Sequence, residues 1–192
     1  AVTWAANKLT LSAYGDININ ADLNATSTAS LALNYGLGAL ALGNTSQITT
    51  TNAAVNLPAG TTNFTTTQGS DGAVKAFTVI TSLGAEGSTT ATDLQGMTGN
   101  LATNYALGSN IDATSTSTWN TASGFTPILG FTGTFDGLGH TVSGLFMDKG
   151  ATANIGLIGS AGVGSKIRNV GLVGGSVTGG ASTGALVGSN GT

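Results

Sequence analysis

Apolar residues in the first 83 positions recur in pairs, each split by one polar residue, at a nearly constant spacing. Leu9 and Leu11 flank Thr10, and Ile17, Ile19, Ala21 and Leu23 alternate with Asn18, Asn20, Asp22 and Asn24. Leu31 and Leu33, Leu40 and Leu42, Val55 and Leu57, Phe64, then Phe77 and Val79 follow. Within a group, period-2 alternation is the mark of a strand with one buried face. Between groups, Leu9, Leu31, Val55 and Phe77 lie about 22–24 positions apart, and the steps Ile17 to Leu40 and Leu42 to Phe64 repeat that distance. Two interleaved series with one period assign at least two strands to each repeat, every strand stacked on its counterpart one repeat later. That is the pattern of a parallel β-solenoid: a single coil is too thin to bury its inner face, and stacking builds a continuous core. The inward set is Leu9, Ile17, Leu31, Leu40, Val55 and Phe64, joined farther on by Val142 and Leu157.

The composition suits such a coil. A chain of 192 residues fits one domain and buries about 70% of its unfolded surface. Charged residues make up only 7% of it, against about 25% in ordinary soluble domains. A polar chain this poor in charge is open to disorder, but 40% hydrophobic residues in alternation point instead to strands whose outer faces carry Thr, Ser and Asn. The net charge is −3, with five Lys and Arg in all, which excludes the basic stripe a nucleic-acid binder needs. Lys149, Lys166 and Arg168 share a tail without acids and form a modest patch. The absence of cysteine excludes a disulfide framework and a thiolate metal site. No apolar run approaches the roughly 18 residues of a membrane span. The chain starts at Ala1, shows no signal peptide and breaks off in SNGT inside a repeat, so it reads as a piece of a longer protein.

The stretch Phe131–Leu145, FTGTFDGLGHTVSGL, reads as two short strands around a tight turn. Asp136-Gly137-Leu138-Gly139 reverses the chain: Asp136 folds its carboxylate onto nearby N–H groups, and the two glycines accept positive φ. Upstream, Thr92-Asp93-Leu94-Gln95 fits a capping box with Thr92 as N-cap, and Leu94, Met97 and Leu101 share a helical face. A short inserted helix is expected there, weakened by Gly96 and Gly99. Asp112 to Gly124 reads as a loop, with Trp119 folded back onto the solenoid wall. From Asn154 the units GLIG, GLVG and GALVG recur, placing Leu157, Leu172 and Leu186 at nearly even intervals. Either one coil here spans the whole step from Leu157 to Leu186, or the short unit occupies different faces of successive coils.

TFDGLGHTVSGL, with NIGLIGS, KIRNVGLVGGSVTG and GALVGSN after it, resembles the GLUG-type repeats of large bacterial surface and secreted proteins. The run from Asp93 to Asn190 is similar to segments of filamentous-haemagglutinin-like exoproteins, and the opening VTWAANKLTLSAYGDININADLNA resembles that family's strand-rich repeats. The resemblance implies a secreted or surface-attached location, associated with the outer membrane of a Gram-negative bacterium, and export by two-partner secretion through an outer-membrane transporter. It also supports right-handed winding, which the chirality of parallel crossovers favours independently.

Few residues carry chemistry. His140 is the only histidine, in a repeat motif, with Asp136 four positions away; a structural role is expected, because a triad or zinc site needs further partners. Gly159–Lys166 superficially follows a phosphate loop, but Ser165 stands where the motif requires lysine. Asp16 and Asp22 share the parity of one strand face, yet two carboxylates without a third partner fall short of a polysaccharide lyase or hydrolase site. Four N-x-S/T sequons, at Asn24, Asn44, Asn63 and Asn190, are what chance produces with 16 asparagines and 49 serines and threonines. The TxT spacings at Thr49–Thr51 and Thr65–Thr67 do not recur coil by coil, as an ice-binding ladder requires. No catalytic, cofactor-binding or metal residue is assigned, and no cofactor is expected.

The expected architecture is therefore all-β: a single right-handed parallel β-helix over residues 1–192. Coils of about 22–24 residues occupy 1–83, an insertion with a short helix and a loop occupies 84–130, and GLUG-type repeats fill 131–192. The expected function is structural and adhesive, a rod presenting a binding region to a receptor or glycan on a host or neighbouring cell, without catalysis. The alternatives are a self-assembling extracellular filament subunit, associating end to end, and a polysaccharide-processing β-helix enzyme.

Overall fold

The computed structural model describes residues 1–39 and 43–191. Leu40 and Leu42, one of the apolar pairs in the period, lie outside the described residues. The chain forms a parallel β-solenoid of about six turns with one short helix, Trp119–Ala122. Its first half contains β1 (Val2–Trp4), β2 (Lys8–Ser12), β3 (Ile17–Ile19), β4 (Leu23–Ala25), β5 (Ser30–Tyr35), β6 (Ile48–Thr50), β7 (Val55–Asn56), β8 (Gly60–Gln68) and β9 (Lys75–Ile80). The second half contains β10 (Tyr105–Leu107), β11 (Ile111–Asp112), β12 (Thr134–Asp136), β13 (Thr141–Ser143), β14 (Phe146–Asp148), β15 (Ile158–Ala161), β16 (Lys166–Arg168), β17 (Gly171–Val173), β18 (Ser176–Thr178) and β19 (Val187–Asn190).

The first coil has the expected length: Leu9 pairs in parallel with Leu31, and Val2 with Leu23. The next coil is longer. Leu31 pairs with Phe64, Ile17 with Ile48 and Leu23 with Val55, instead of the partners that the shorter period assigns. The period read over 1–83 therefore holds for one coil only, because the segment after β5 carries extra chain between strands. The step from Val55 to Phe77 is not a coil at all. Strands β8 and β9 are antiparallel, with Phe64 opposite Phe77, so an apolar spacing that mimics the coil length comes from a hairpin.

From β9 onward the strands are again parallel. Thr78 pairs with Tyr105, Tyr105 with Phe135, and Phe135 with Ile167. The segment 84–130 is consequently not a pure insertion, since β10 and β11 form a regular rung within it. The final coil advances from Ile158 to Val187, the same step as from Leu157 to Leu186, while Leu172 sits on a different wall beside Val142. Both alternatives for the GLVG units hold together.

The hairpin has a consequence for the core. Seven strands make one sheet in the order β16-β12-β10-β9-β8-β5-β2. Alternation puts Phe64, Phe77, Val79 and Ala106 on one face with Leu31, Leu33 and Val55, and Ile80, Tyr105, Leu107 and Phe135 on the other with Leu94, Phe131 and Val142. Two solenoid cores thus share one sheet, one core on each face. Ile17, Leu31, Val55, Phe64, Val142 and Leu157 are buried as expected. Leu9, on the first rung, is half-buried against the first core.

The expected helix is a 3-10 turn, Gln95–Gly99. Thr92 does not cap it. The Gly96 N–H donates to Asp93 Oδ1 at 2.6 Å, and Gln95 turns away to exchange hydrogen bonds with the backbone of Thr126. Asp93 wins because Ser88 and Thr90 donate hydroxyls to its second oxygen. The 112–124 loop holds a 3-10 turn, Thr114–Thr118, and Trp119 packs against Phe125 with near-parallel rings 6.3 Å apart.

The segment Asp136–Gly139 is a corner rather than a reversal, because β12 and β13 belong to different walls. Asp136 Oδ1 accepts the Leu138 N–H at 3.1 Å, as its residue type suggests. Gly139 has φ +87° and Leu138 takes φ 50°. Gly137 is needed for space instead: a Cβ there would collide with the Asn169 carbonyl oxygen of the next coil.

Candidate functional site

The polar residues singled out by sequence serve mainly to join coils. Asp16 Oδ1 accepts the Gln47 N–H at 2.8 Å and Asp22 Oδ1 the Ala54 N–H at 2.9 Å, each staple reaching one coil onward. Outside the walls, Thr49 donates to Asn18 and Asn56 donates to Asn24. Stacked polar ladders of this kind satisfy side chains without charge. The Asn44 side chain is tied to the Gly36 and Gly38 carbonyls, and the Asn63 amide to Pro58. Asn190 is exposed on β19.

His140 is 2% exposed and stands in the chain between Leu138 of the first core and Val142 of the second. Its Nε2 is 3.0 Å from the Val55 carbonyl oxygen and its Nδ1 3.3 Å from Asn110 Oδ1. Both partners only accept, so in the neutral ring the proton on Nε2 serves the shorter Val55 contact, and Asn110 Oδ1 accepts the Thr141 N–H instead of bonding Nδ1. Burial lowers the imidazole below its ordinary value, partly offset by the Val55 hydrogen bond and the Asp22 charge. Asp136 is fully buried and accepts Arg168 Nε at 2.8 Å and Asn169 Nδ2 at 3.0 Å. Gly159–Lys166 is no phosphate cradle. The Gly159 N–H donates to Ile128, that of Gly162 to Phe131, that of Ser165 to Gly162 and that of Lys166 to Gly133, so these donors are already used.

One concavity gathers what the sequence leaves scattered. The face of the shared sheet that covers the first core continues past it along β12 and β16. There, alternation projects Thr134, Asp136, Lys166 and Arg168 outward from the second core. The first solenoid closes this space with Tyr35 and Gln68, at the ends of β5 and β8 of the same sheet, and with Asn44–Gln47 ahead of β6. Between them lies a cleft of about 750 Å³, lined also by Ser165, Val187 and Asn190. It adjoins smaller spaces lined by Thr66, Ala73 and Lys75. Gln68 Nε2 donates to the Asn44 and Ser46 carbonyls at 3.1 and 3.0 Å and fixes that segment.

Lys75, Lys166 and Arg168 bring three of the chain's five basic residues to this place. Among the described residues, no Asp or Glu lines it. Burial lowers the Lys75 ammonium, and the Lys166 and Arg168 charges lower it further. Of the tail cations expected to cluster, Lys149 stands apart and donates to the Gly124 carbonyl at 3.2 Å. Sequence reasoning missed Lys75, which is far from Lys166 in the chain and is brought near by the strand order alone. Among the described residues no group of three or more His, Cys, Asp or Glu is placed to hold a metal ion. No helix among them is long and apolar enough to cross a membrane.

Over 89 residues, 45% of its length, the chain is 49% identical to Halomucin of Haloquadratum walsbyi (strain DSM 16790 / HBSQ001). It spans only 1% of that protein's length. No family model and no solved structure matches the chain. The GLUG and filamentous-haemagglutinin resemblance therefore finds no matching family model, and the relative is archaeal rather than Gram-negative.

Proposed function

We propose that the chain is a structural and adhesive segment of a secreted or surface-attached protein, a β-solenoid rod that presents a binding region to a receptor or glycan on a neighbouring or host surface. The observation that carries this reading is the stacked parallel ladder, with apolar residues inside and uncharged Asn–Thr and Asn–Asn ladders outside. Such a rod gains length by adding coils, and its hydrogen bonds run along the axis. The similarity to Halomucin, an archaeal surface protein, supports a surface location. The finer reading, export through an outer-membrane transporter partner, rests on the repeat motifs alone.

The test is surface labelling and adherence of the producing cells. Antibody against the 192 residues is expected to label intact cells, and deleting the segment in the full protein to reduce adherence. Labelling only after lysis, or unchanged adherence, overturns the proposal. We also propose that the segment has no catalytic activity. The support is that its conspicuous titratable groups, His140, Asp16, Asp22 and Asp136, are spent on holding coils and corners. Release of reducing ends from acidic or neutral polysaccharides, with or without Ca²⁺, that is lost in Asp16→Ala or Asp136→Ala would overturn it.

A further inference from the structure

We infer that the cleft between the two solenoid walls binds a carboxylate-bearing saccharide, with Lys75, Lys166 and Arg168 neutralising its acid groups. The inference deepens the adhesive reading and rests on it for its biological setting.

Charge sets the ligand's sign. The protein as a whole is acidic, yet three of its five cations converge here, Lys75 from β9 of the hairpin and Lys166 and Arg168 from β16 of the same sheet. The buried Asp136 carboxylate offsets one of these charges, and the two lysines that remain favour an anionic ligand. The ion pair with Asp136 engages Arg168 through Nε and fixes the guanidinium at the cleft wall. Its two terminal nitrogens remain as a planar pair of donors, which matches the two oxygens of a carboxylate.

The lining narrows the class. A cleft of about 750 Å³ is within the range of small-ligand sites, about 300–1,000 Å³. Its wall presents Thr45, Ser46, Gln47, Ser165 and Asn190, hydroxyls and amides suited to a hydroxyl-rich ligand. Phosphate recognition would draw on a nest of free backbone N–H groups, but those of Gly159, Ser160, Gly162, Ser165 and Lys166 are bonded to carbonyls. A peptide strand would add through its backbone to β16, the end strand of the seven-stranded sheet, and would leave the hydroxyls and amides that line the cleft unused.

The experiment titrates the intact 192-residue chain with trigalacturonic acid by calorimetry at low salt, beside its methyl ester, inorganic phosphate and a tri-glutamate peptide. Arg168 is left untouched, because its loss would strand the buried Asp136. Binding of the triuronate is expected, weakening at least about tenfold in the Lys75→Gln/Lys166→Gln double variant, since two charge-assisted contacts are lost. Lys8→Gln, a cation outside the cleft, should bind as the parent does, and both variants should melt with the parent. Absence of triuronate binding, equal binding of the methyl ester, tighter binding of phosphate or peptide, or a double variant that binds as well as the parent overturns the inference. The two readings fail separately. Adherence that survives the double substitution in the full protein leaves the rod adhesive and removes this cleft from the task. Triuronate binding without any contribution to adherence does the reverse.

Discussion

At the scale of single residues, burial decides most of the energetics. His140 is buried, with the Val55 carbonyl as the partner of Nε2, Asn110 Oδ1 beside Nδ1 and Asp22 as the facing charge. Its folded-state pKa is lowered, desolvation being the main cause. The unfolded chain then binds the proton more readily, so stability is complete above the unfolded value near 6.5 and is lost as pH falls below it. The urea midpoint is expected to drop between about pH 8 and about pH 5.5, and His140→Gln to flatten that portion of the profile. A parent profile already flat there would contradict the burial account. Leu31 is fully buried and paired on both sides, so Leu31→Ala is expected to cost about 2–5 kcal/mol. Asn18→Ala removes one exposed hydrogen bond to Thr49 and should cost about 1 kcal/mol or less in the same urea titration.

At the scale of elements, corners and rungs differ in how far they can be read. A rung shows itself through alternation, which is why Ile17, Val55, Phe64 and Val142 are foreseen as core from their neighbours alone. A corner shows itself through residue type but not through its geometry. Asp136-Gly137-Leu138-Gly139 carries every signal of a tight turn, and only the register of β12 and β13 reveals that it links two walls. The role of Gly137 is likewise invisible locally, because what crowds it is the Asn169 carbonyl, one coil farther along the chain. Gly137→Ala is therefore expected to lower Tm clearly more than Ser143→Ala on the following strand, and equal melting temperatures would remove the close-approach argument. The hairpin is the larger omission. Gly69-Ser70-Asp71-Gly72 is a turn signal between β8 and β9, with Gly69 at φ 82°, but Val55 and Phe77 fall at coil spacing and mask it. Once the hairpin is missed the cleft is too, since Lys75 approaches Lys166 only through the strand order that the hairpin creates.

At the scale of the whole molecule, the hairpin divides one solenoid into two cores that share a sheet. Each coil holds to the next mainly through nearest-neighbour contacts, so local stability should vary along the stack as in other repeat proteins. The seam is the best-supported place. The Phe64 and Phe77 rings meet at 4.8 Å across it, both side chains are buried, and Val79 and Ile80 face different cores. The Leu138 and Gly108 carbonyls accept the Val55 and Leu57 N–H groups nearby, tying the second half's corners to the first half's wall. Far from the seam the packing thins. Leu9 and Leu11 on the first rung are half-buried, and Leu172, Val177, Leu186 and Val187 on the last coil are only partly covered. Native-state hydrogen exchange of the 192-residue chain should follow that gradient. Amides in 60–68 and 75–80, with those of Tyr105–Leu107, are expected to exchange last, through global unfolding, while 1–12 and 171–191 exchange first through local opening. Two separate protection plateaus, one per core, with the seam exchanging as early as the ends, would mean that each core folds alone and the hairpin is merely a tether. A single maximum centred on β8 and β9 would identify the shared sheet as the element on which both solenoids depend.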